Sequence, residues 1–466
     1  MNRRSFIQTL GLSAGSTLTD RFAFATDENT DVIIVGAGIA GMFAAYSLQE
    51  KGLSVRVLEA SERIGGRMFT LDELPWKPNT GGTEVGDGYQ RLIGLSEKVG
   101  VKIVEPPAGE GRGGSTLYVI GNEKILDKDW ATSPFNKLAE NEKKFVPPLL
   151  ETMLMQAKNS LQTLDDWYNP KFSQFDVSLS EFLRQNGAST EALRLINANA
   201  NTNDIVSTSA LNVFKSMTFR VKGGSKKTLR IAGGSQRLPE AVAKQLRRPV
   251  EMGKKVTEIN DRGGRVTVKC KGGSTYTASQ VIVTVPFAAM KGVKFTRGLT
   301  ALHYEAIQKL PYTKITQLHV AAKTPFWESD GLPPSIWTDG AFGRIFVNKG
   351  DNAQTGMLCW TNGLEAMALD KLPEKEVVSG FLNEIKKIRP ASEGNLEVLK
   401  VNSWGNNPLA GGAYYHLAPG QANRFFPDLL QPVGRVYFSG EHLGLQSNGM
   451  EGACESAEFV VNKITV

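Results

Sequence analysis

The 466-residue chain has few of the residues that build disulfide frameworks or metal sites. Its three cysteines, Cys270, Cys359 and Cys454, are isolated and show no CxxC spacing, which excludes a disulfide-stapled scaffold and a thiolate metal site. Its four histidines, His303, His319, His416 and His442, form no ligand pattern, so no metal site is expected. No apolar run approaches the roughly 18 residues that would mark a membrane span. The net charge of +7 is modest. Arg3, Arg4 and Arg21 against Asp20 carry two units of it, leaving +5 for residues 26–466. The densest cations, Arg220, Lys222, Lys226, Lys227 and Arg230, read as a solvated hairpin, and nucleic-acid binding is not expected. Paired carboxylates, a Ser/His/Asp set, internal repeats and low-complexity tracts are also missing.

The chain opens Asn2-Arg3-Arg4-Ser5-Phe6-Ile7-Gln8, continues through a weakly apolar stretch broken by Gly11 and Gly15, and reaches Ala23-Phe24-Ala25. Twin arginines, a modest apolar middle and a small-x-small end resemble a twin-arginine export signal cleaved after Ala25. That route moves folded proteins, so residues 1–25 imply a periplasmic or secreted protein that folds before export.

Asp31-Val32-Ile33-Ile34-Val35 is an apolar strand-type run that enters Gly36-Ala37-Gly38-Ile39-Ala40-Gly41. A helical stretch follows from Met42 to Lys51, and a second strand, Leu53 to Leu58, ends on Glu59. Gly36 permits the tight turn, Gly38 lets backbone approach a pyrophosphate, and Gly41 lets helix and strand pack closely. Glu59 is placed to accept hydrogen bonds from ribose hydroxyls. These features together predict a dinucleotide site, with FAD and NAD both open at this point.

The next residues, Glu59-Ala60-Ser61-Glu62-Arg63-Ile64-Gly65-Gly66-Arg67, offer two glycines for close backbone approach and, in Arg67, a cation for the second phosphate. This stretch resembles the signature of the flavin amine oxidase family, and Gly81-Gly82-Thr83-Glu84-Val85-Gly86 resembles the family's next flavin contact. The likeness continues through Ile231–Ser235, Val256–Ile259, Val281–Pro286, Pro325-Phe326-Trp327, Ser403-Trp404, Ala410–Tyr414, Val436–Glu441 and Gly449–Ala453. Order and spacing are similar to those of monoamine oxidases. The resemblance implies FAD held by Gly36, Gly38, Gly41, Glu59, Gly65, Gly66, Arg67, Gly82, Thr83, Val256, Gly440, Glu441 and Met450. Free N–H groups at the helix start near Met450 would face the flavin pyrimidine edge and stabilise its charge on reduction.

The implied fold is α/β, a Rossmann-like FAD-binding domain (31–113, 224–300 and 401–466) interleaved with a substrate domain of mixed sheet and helices (114–223 and 301–400). Residues 131–200 read as helical, with Leu149, Leu150, Met153, Leu154, Leu183, Leu193 and Leu195 as core. Residues 311–323 and 354–361 read as strands roofing the flavin.

Three positions depart from the family pattern. Ala413 stands where mitochondrial monoamine oxidases carry the flavin-linking cysteine, so FAD is expected to be noncovalent. Tyr414 matches one wall of the aromatic cage that orients the amine and Trp404 the Trp that packs near the flavin, but the facing wall falls on Gly449. That open wall admits a larger substrate or is completed from the substrate domain. Gln317 stands where the family lysine holds a water at flavin N5. Lys314 is expected to face the other side of the strand, and His319 reads as a satisfied core histidine.

The resemblance implies amine oxidation by hydride transfer to flavin N5, with Tyr414, Trp404 and Gln317 at the reaction centre, an imine that hydrolyses to a carbonyl, and oxygen or a cytochrome as acceptor. The alternatives are an L-amino acid oxidase, which needs a cation for the substrate carboxylate, and an FAD-binding redox protein without amine oxidase activity. Arg91 reads as structural, and Glu84 as an unusual carboxylate near the flavin.

Overall fold

Val32–Val35 is buried on both faces, which explains its unbroken apolar run. In the computed structural model, which describes residues 30–106, 115–349 and 355–464, it is a central strand of a four-stranded parallel sheet. The sheet order is Val55–Leu58, Val32–Val35, Gln280–Val283 and Val436–Phe438, drawing strands from distant parts of the chain. Ile34 and Ile282 face the helices Ile39–Glu50 and Gly449–Lys463, packing among Met42, Leu48 and Val460. Ile33, Val35, Val281 and Val283 face a second core that includes Phe287 and Phe438. Each such aliphatic side chain contributes about 2 kcal/mol of burial. The expected export signal, residues 1–25, lies outside the described residues.

A smaller sheet of Thr275–Ala278, Val266–Cys270, Val256–Asn260 and Lys294–Phe295 flanks the first. Cys270, Cys359 and Cys454 are buried free thiols.

The larger sheet has seven strands, in the order Leu396–Ser403, Ile315–Ala322, Thr355–Asn362, Arg344–Lys349, Ser335–Thr338, Thr116–Ile120 and Glu123–Leu126. It is mixed, because Ser335–Thr338 and Thr116–Ile120 run parallel and the other pairs are antiparallel. Leu318, Val320 and Ile345 point to one side, into a core with Phe326, Trp327 and Phe381. Gln317, Trp360, Arg344 and Asn402 are cross-strand neighbours and share the other face. The architecture is therefore the expected α/β arrangement with two interleaved sheets. Position 401, expected to begin the last FAD segment, falls inside Leu396–Ser403, whose partner is a strand of the seven-stranded sheet.

Residues 131–200 are less helical than their apolar spacing predicts. They hold short helices at Leu150–Gln156, Leu179–Gln185 and Thr190–Ala198, joined by single 3-10 turns and loops. Leu150, Leu183 and Leu195 are core and Leu154 and Leu193 pack at its edge, but Leu149 and Met153 are exposed. A seven-residue helix buries one narrow stripe, and these two side chains lie outside it. The basic run is the end of helix Ala210–Lys222 followed by a turn into Thr228–Ile231, where a hairpin was expected. Among its members, Lys227 pairs with Glu105 at 2.9 Å.

Candidate functional site

A cavity of about 810 Å³ opens at the carboxyl ends of the parallel strands and runs beneath the seven-stranded sheet. At one end it is lined by Gly36, Gly38, Glu59, Arg63, Gly65, Gly66, Arg67 and Val256. Gly38 caps helix Ile39–Glu50, so the first N–H groups of that helix face the cavity. A Cβ on Gly38 would meet nothing nearer than Gly65 O at 4.0 Å, so a side chain there would project into open cavity. Gly41 is not in the lining: its Cβ would lie 2.0 Å from Gly36 O, making it the close-packing glycine of the turn. Glu59 is fixed at the end of its strand, accepting from Ala37 N at 2.7 Å and from Ser61 N and Oγ at 2.8 Å.

The two arginines of this segment are held differently. Arg67, expected to meet a phosphate, donates to Glu441 Oε1 at 2.7 Å and to Ala413 O at 3.0 Å. Arg63 stacks on Phe69 at 3.9 Å and donates from Nη2 to Gly66 O at 2.6 Å. Its Nη1 is buried and has no partner among the described residues. Burial lowers the Arg63 pKa, opposed by the Glu59 charge. An orphaned guanidinium donor beside a helix N-terminus is suited to an anion, and Arg63 was not singled out for this from the sequence.

At the other end the lining is Gly82, Thr83, Trp404, Ala413, Tyr414, Gly440, Glu441, Gly449 and Met450, joined by Trp360 and Asn201. Trp404 is buried and donates its indole N–H to Thr80 O at 3.0 Å. Tyr414 is held by its backbone, whose carbonyl accepts from Thr313 N at 2.8 Å. Tyr414, Trp404 and Trp360 pack into one cluster with Ile315, Ala410, Ala413 and Phe69. Trp360 is fixed by its indole N–H donating to Asn362 Oδ1 at 2.5 Å. Helix Gly449–Lys463 begins at this wall, with Gly449 at φ +56° and nothing within 4 Å of where its Cβ would sit.

A family model described as flavin containing amine oxidoreductase matches residues 39–465. The chain belongs to that family. Pig flavin-containing amine oxidase B is 26% identical over 467 residues, covering 93% of this chain and 86% of that protein. Among solved structures, a redesigned double mutant of putrescine oxidase superposes with a TM-score of 0.74 at 25% identity. Cyclohexylamine oxidase from Brevibacterium oxydans superposes at 0.75 with 20% identity. Each superposition covers 93% of this chain and 98% of the other. This member of the family therefore has the amine oxidase fold, and its family implies FAD. The cavity fits that group, with open space above Gly38, an orphaned donor on Arg63 and a fixed carboxylate at Glu59.

Gln317 is where the structure departs most from the sequence-derived site. It is fully buried, does not line the cavity, and lies between Trp360 and Asn402, accepting from Asn402 Nδ2 at 3.2 Å. Its Nε2 has no partner among the described residues. Trp360, its neighbour on the next strand, is the side chain that reaches the cavity. His319 is core, as expected, but not satisfied: neither ring nitrogen has a partner among the described residues. Burial, with the nearby Lys400 charge, lowers its pKa to about 4, so the ring is neutral. Lys314 turns away and donates to Gly411 O at 2.5 Å. Arg91 joins Glu451 and Glu458, at 3.2 and 2.7 Å, which gives it a structural role. Glu84 does line the cavity, near Tyr89, whose pKa is raised to about 12 by burial and by the charges of Glu84 and Glu451.

Proposed function

We propose that this family member oxidises an amine at the carbon bearing nitrogen, with noncovalent FAD as the immediate acceptor. The observation that carries this reading is the continuity of one cavity from the nucleotide cradle of Gly38, Glu59 and Arg63 to the aromatic corner of Tyr414, Trp404 and Trp360. Bound FAD would supply the two-electron acceptor for the hydride, after which water converts the imine to a carbonyl compound and a free amine. The protein's own part is orientation and exclusion of water. The three aromatic faces desolvate the amine and favour its neutral form, whose lone pair is needed for hydride loss. Trp360 takes the place of the wall that Gly449 lacks. Ala413 lines the cavity without a thiol, so acid precipitation should release all flavin into the supernatant.

The deciding experiment adds primary and secondary amines anaerobically to the purified yellow protein. Loss of flavin absorbance on mixing supports the reading, and no bleaching by any amine leaves a redox protein without amine oxidase activity. An L-amino acid oxidase is the second reading, favoured by Arg344. It is the cross-strand neighbour of Trp360 and donates to Asn201 Oδ1 at 3.2 Å, while Asn201 lines the cavity. Bleaching by amino acids but not by the matching decarboxylated amines would select it. We also infer, from residues 1–25 alone, that the enzyme is exported folded; oxygen or an exported cytochrome would be its electron acceptor.

A further inference from the structure

Lys215 is buried at 5% exposure and makes no ion pair among the described residues. It sits on helix Ala210–Lys222, outside the cavity lining. Its ammonium donates to Tyr415 Oη at 2.5 Å and to Gly444 O at 3.0 Å, and lies 4.2 Å from the centre of the Trp167 ring. Three N–H donors thus meet one hydroxyl, one carbonyl and one aromatic face, which fully satisfies the group. Burial lowers its pKa to about 8, and Glu455 and Glu441 oppose the shift. A buried cation with no bonded carboxylate is a poor stabilising device, since an apolar side chain would fill the space at lower desolvation cost.

Its partners explain what the ammonium does. Tyr415 directly follows Tyr414, the aromatic wall of the cavity, and its N–H donates to Glu441 Oε1 at 3.3 Å. Gly444 begins the loop that leads to Gly449 and Met450, both in the cavity lining. That loop is held from two sides. Glu455 accepts from Leu445 N at 3.0 Å and Gln446 N at 2.9 Å, fixing the loop to the last helix. Lys215 and Trp167 take the carbonyls, since the Trp167 indole donates to Leu445 O at 2.8 Å. One ammonium therefore ties the aromatic wall and the helix entry to each other and to helix Ala210–Lys222.

We propose that Lys215 is a positioning residue that sets the spacing between Tyr414–Tyr415 and the Gly444–Gly449 loop, and with it the fit of the cavity around the flavin end of FAD. This role rests on the cavity being the FAD site, so the wild-type protein is titrated with FAD first. No binding there would overturn the cofactor reading itself. The test then compares Lys215→Met, which keeps the bulk and removes all donors, with Lys215→Gln, which keeps an uncharged donor. FAD dissociation constant, visible circular dichroism of bound FAD and Tm are measured for each. Lys215→Met should weaken FAD binding about tenfold and alter the flavin dichroism with Tm nearly unchanged, and Lys215→Gln should recover most of both. Tyr415→Phe, which removes one contact and leaves Lys215 in place, should shift the dichroism in the same sense by less. Wild-type affinity and dichroism in Lys215→Met overturn the proposal. So does an affinity loss that follows a lowered Tm and is not recovered by Gln. If Met is not tolerated, unchanged flavin dichroism in both Lys215→Gln and Tyr415→Phe overturns it equally.

Discussion

Arg67 and Glu441 form an ion pair at 2.7 Å across 374 residues of sequence. It joins the glycine-rich segment after the second strand to the C-terminal segment that enters the last helix. Glu441 also accepts from Tyr415 N at 3.3 Å, and Arg67 also donates to Ala413 O at 3.0 Å. The pair therefore closes the cavity between its nucleotide and aromatic ends. Glu441→Ala would strand a mostly buried guanidinium, and a loss of about 3 kcal/mol is expected. Urea unfolding of the FAD-free protein measures it. A loss under about 0.5 kcal/mol, the scale of an exposed pair, would show that solvent already screens the contact.

Arg63 has the opposite character, because its buried Nη1 has nothing to bond among the described residues. Arg63→Met should change the stability of the apo-protein little, since the unsatisfied buried donor is removed together with the bond to Gly66 O. FAD affinity should fall about thirtyfold, the worth of a charge-assisted hydrogen bond near 2 kcal/mol. Flavin titration by fluorescence quenching reads this directly. An unchanged dissociation constant would mean that Arg63 does not face the bound anion.

The contrast between these arginines shows what could be read from sequence. Strand, glycine turn, helix and second strand are local, and Gly36, Gly41 and Glu59 stand where their order alone places them. Arg63 and Arg67 share one motif, and only the fold shows that Arg67 pairs with Glu441 at the far end of the chain. Trp360 was illegible for a related reason. Around it, Met357-Leu358-Cys359-Trp360 runs apolar without alternation, and only pairing with Gln317 and Arg344 fixes which face it presents. Gln317 sits on the expected strand but under its neighbours, a displacement that no count of residues reveals. Leu149 and Met153 carry helical spacing, but the helix is too short to bury them.

Four buried histidines set an acid limit on stability, and burial lowers the pKa of His303 as well. Burial lowers the pKa of His319 and His416 to about 4 and of His442 to about 3, from 6.5. With folded-state values below the unfolded one, the unfolded chain takes up protons first as pH falls. Stability is full above about pH 6.5 and is lost progressively toward pH 4, by up to about 1.4 kcal/mol per pH unit for each ring. His319→Leu removes one such ring from a site with no polar partner. Urea midpoints at pH 6.5 and 5 should then differ by less than in the wild type, and an equal difference would show that His319 is hydrated or already protonated.

Export is expected to need Arg3 and Arg4 together, because a receptor reads the pair as an address. Replacing both by Lys should leave FAD-loaded precursor in the cytoplasm, detected by fractionation and by its higher mass. Normal periplasmic accumulation of that variant would remove the targeting claim without touching the enzyme.

Trp360 and Gly449 test how the aromatic corner is completed. Gly449 holds φ +56°, a conformation in which an L side chain is strained, and it begins the helix whose N–H groups line the cavity. Gly449→Ala meets no neighbouring atom, so its cost is backbone strain alone, about 1–2 kcal/mol, felt at the helix entry. It should weaken FAD binding and leave the order of preference among amines intact. Trp360→Ala should do the reverse. It removes a large aromatic face from the cavity while the backbone stays locked in the sheet, so FAD should bind normally. Flavin reduction by small amines should slow by at least tenfold, and bulky amines should lose far less because they fill the vacated space. Rapid-mixing reduction with a graded amine series, after flavin content is equalised, separates the two effects. If Trp360→Ala shows the wild-type order of amines and Gly449→Ala changes it, the wall lies at the helix entry and the sheet contributes only a roof.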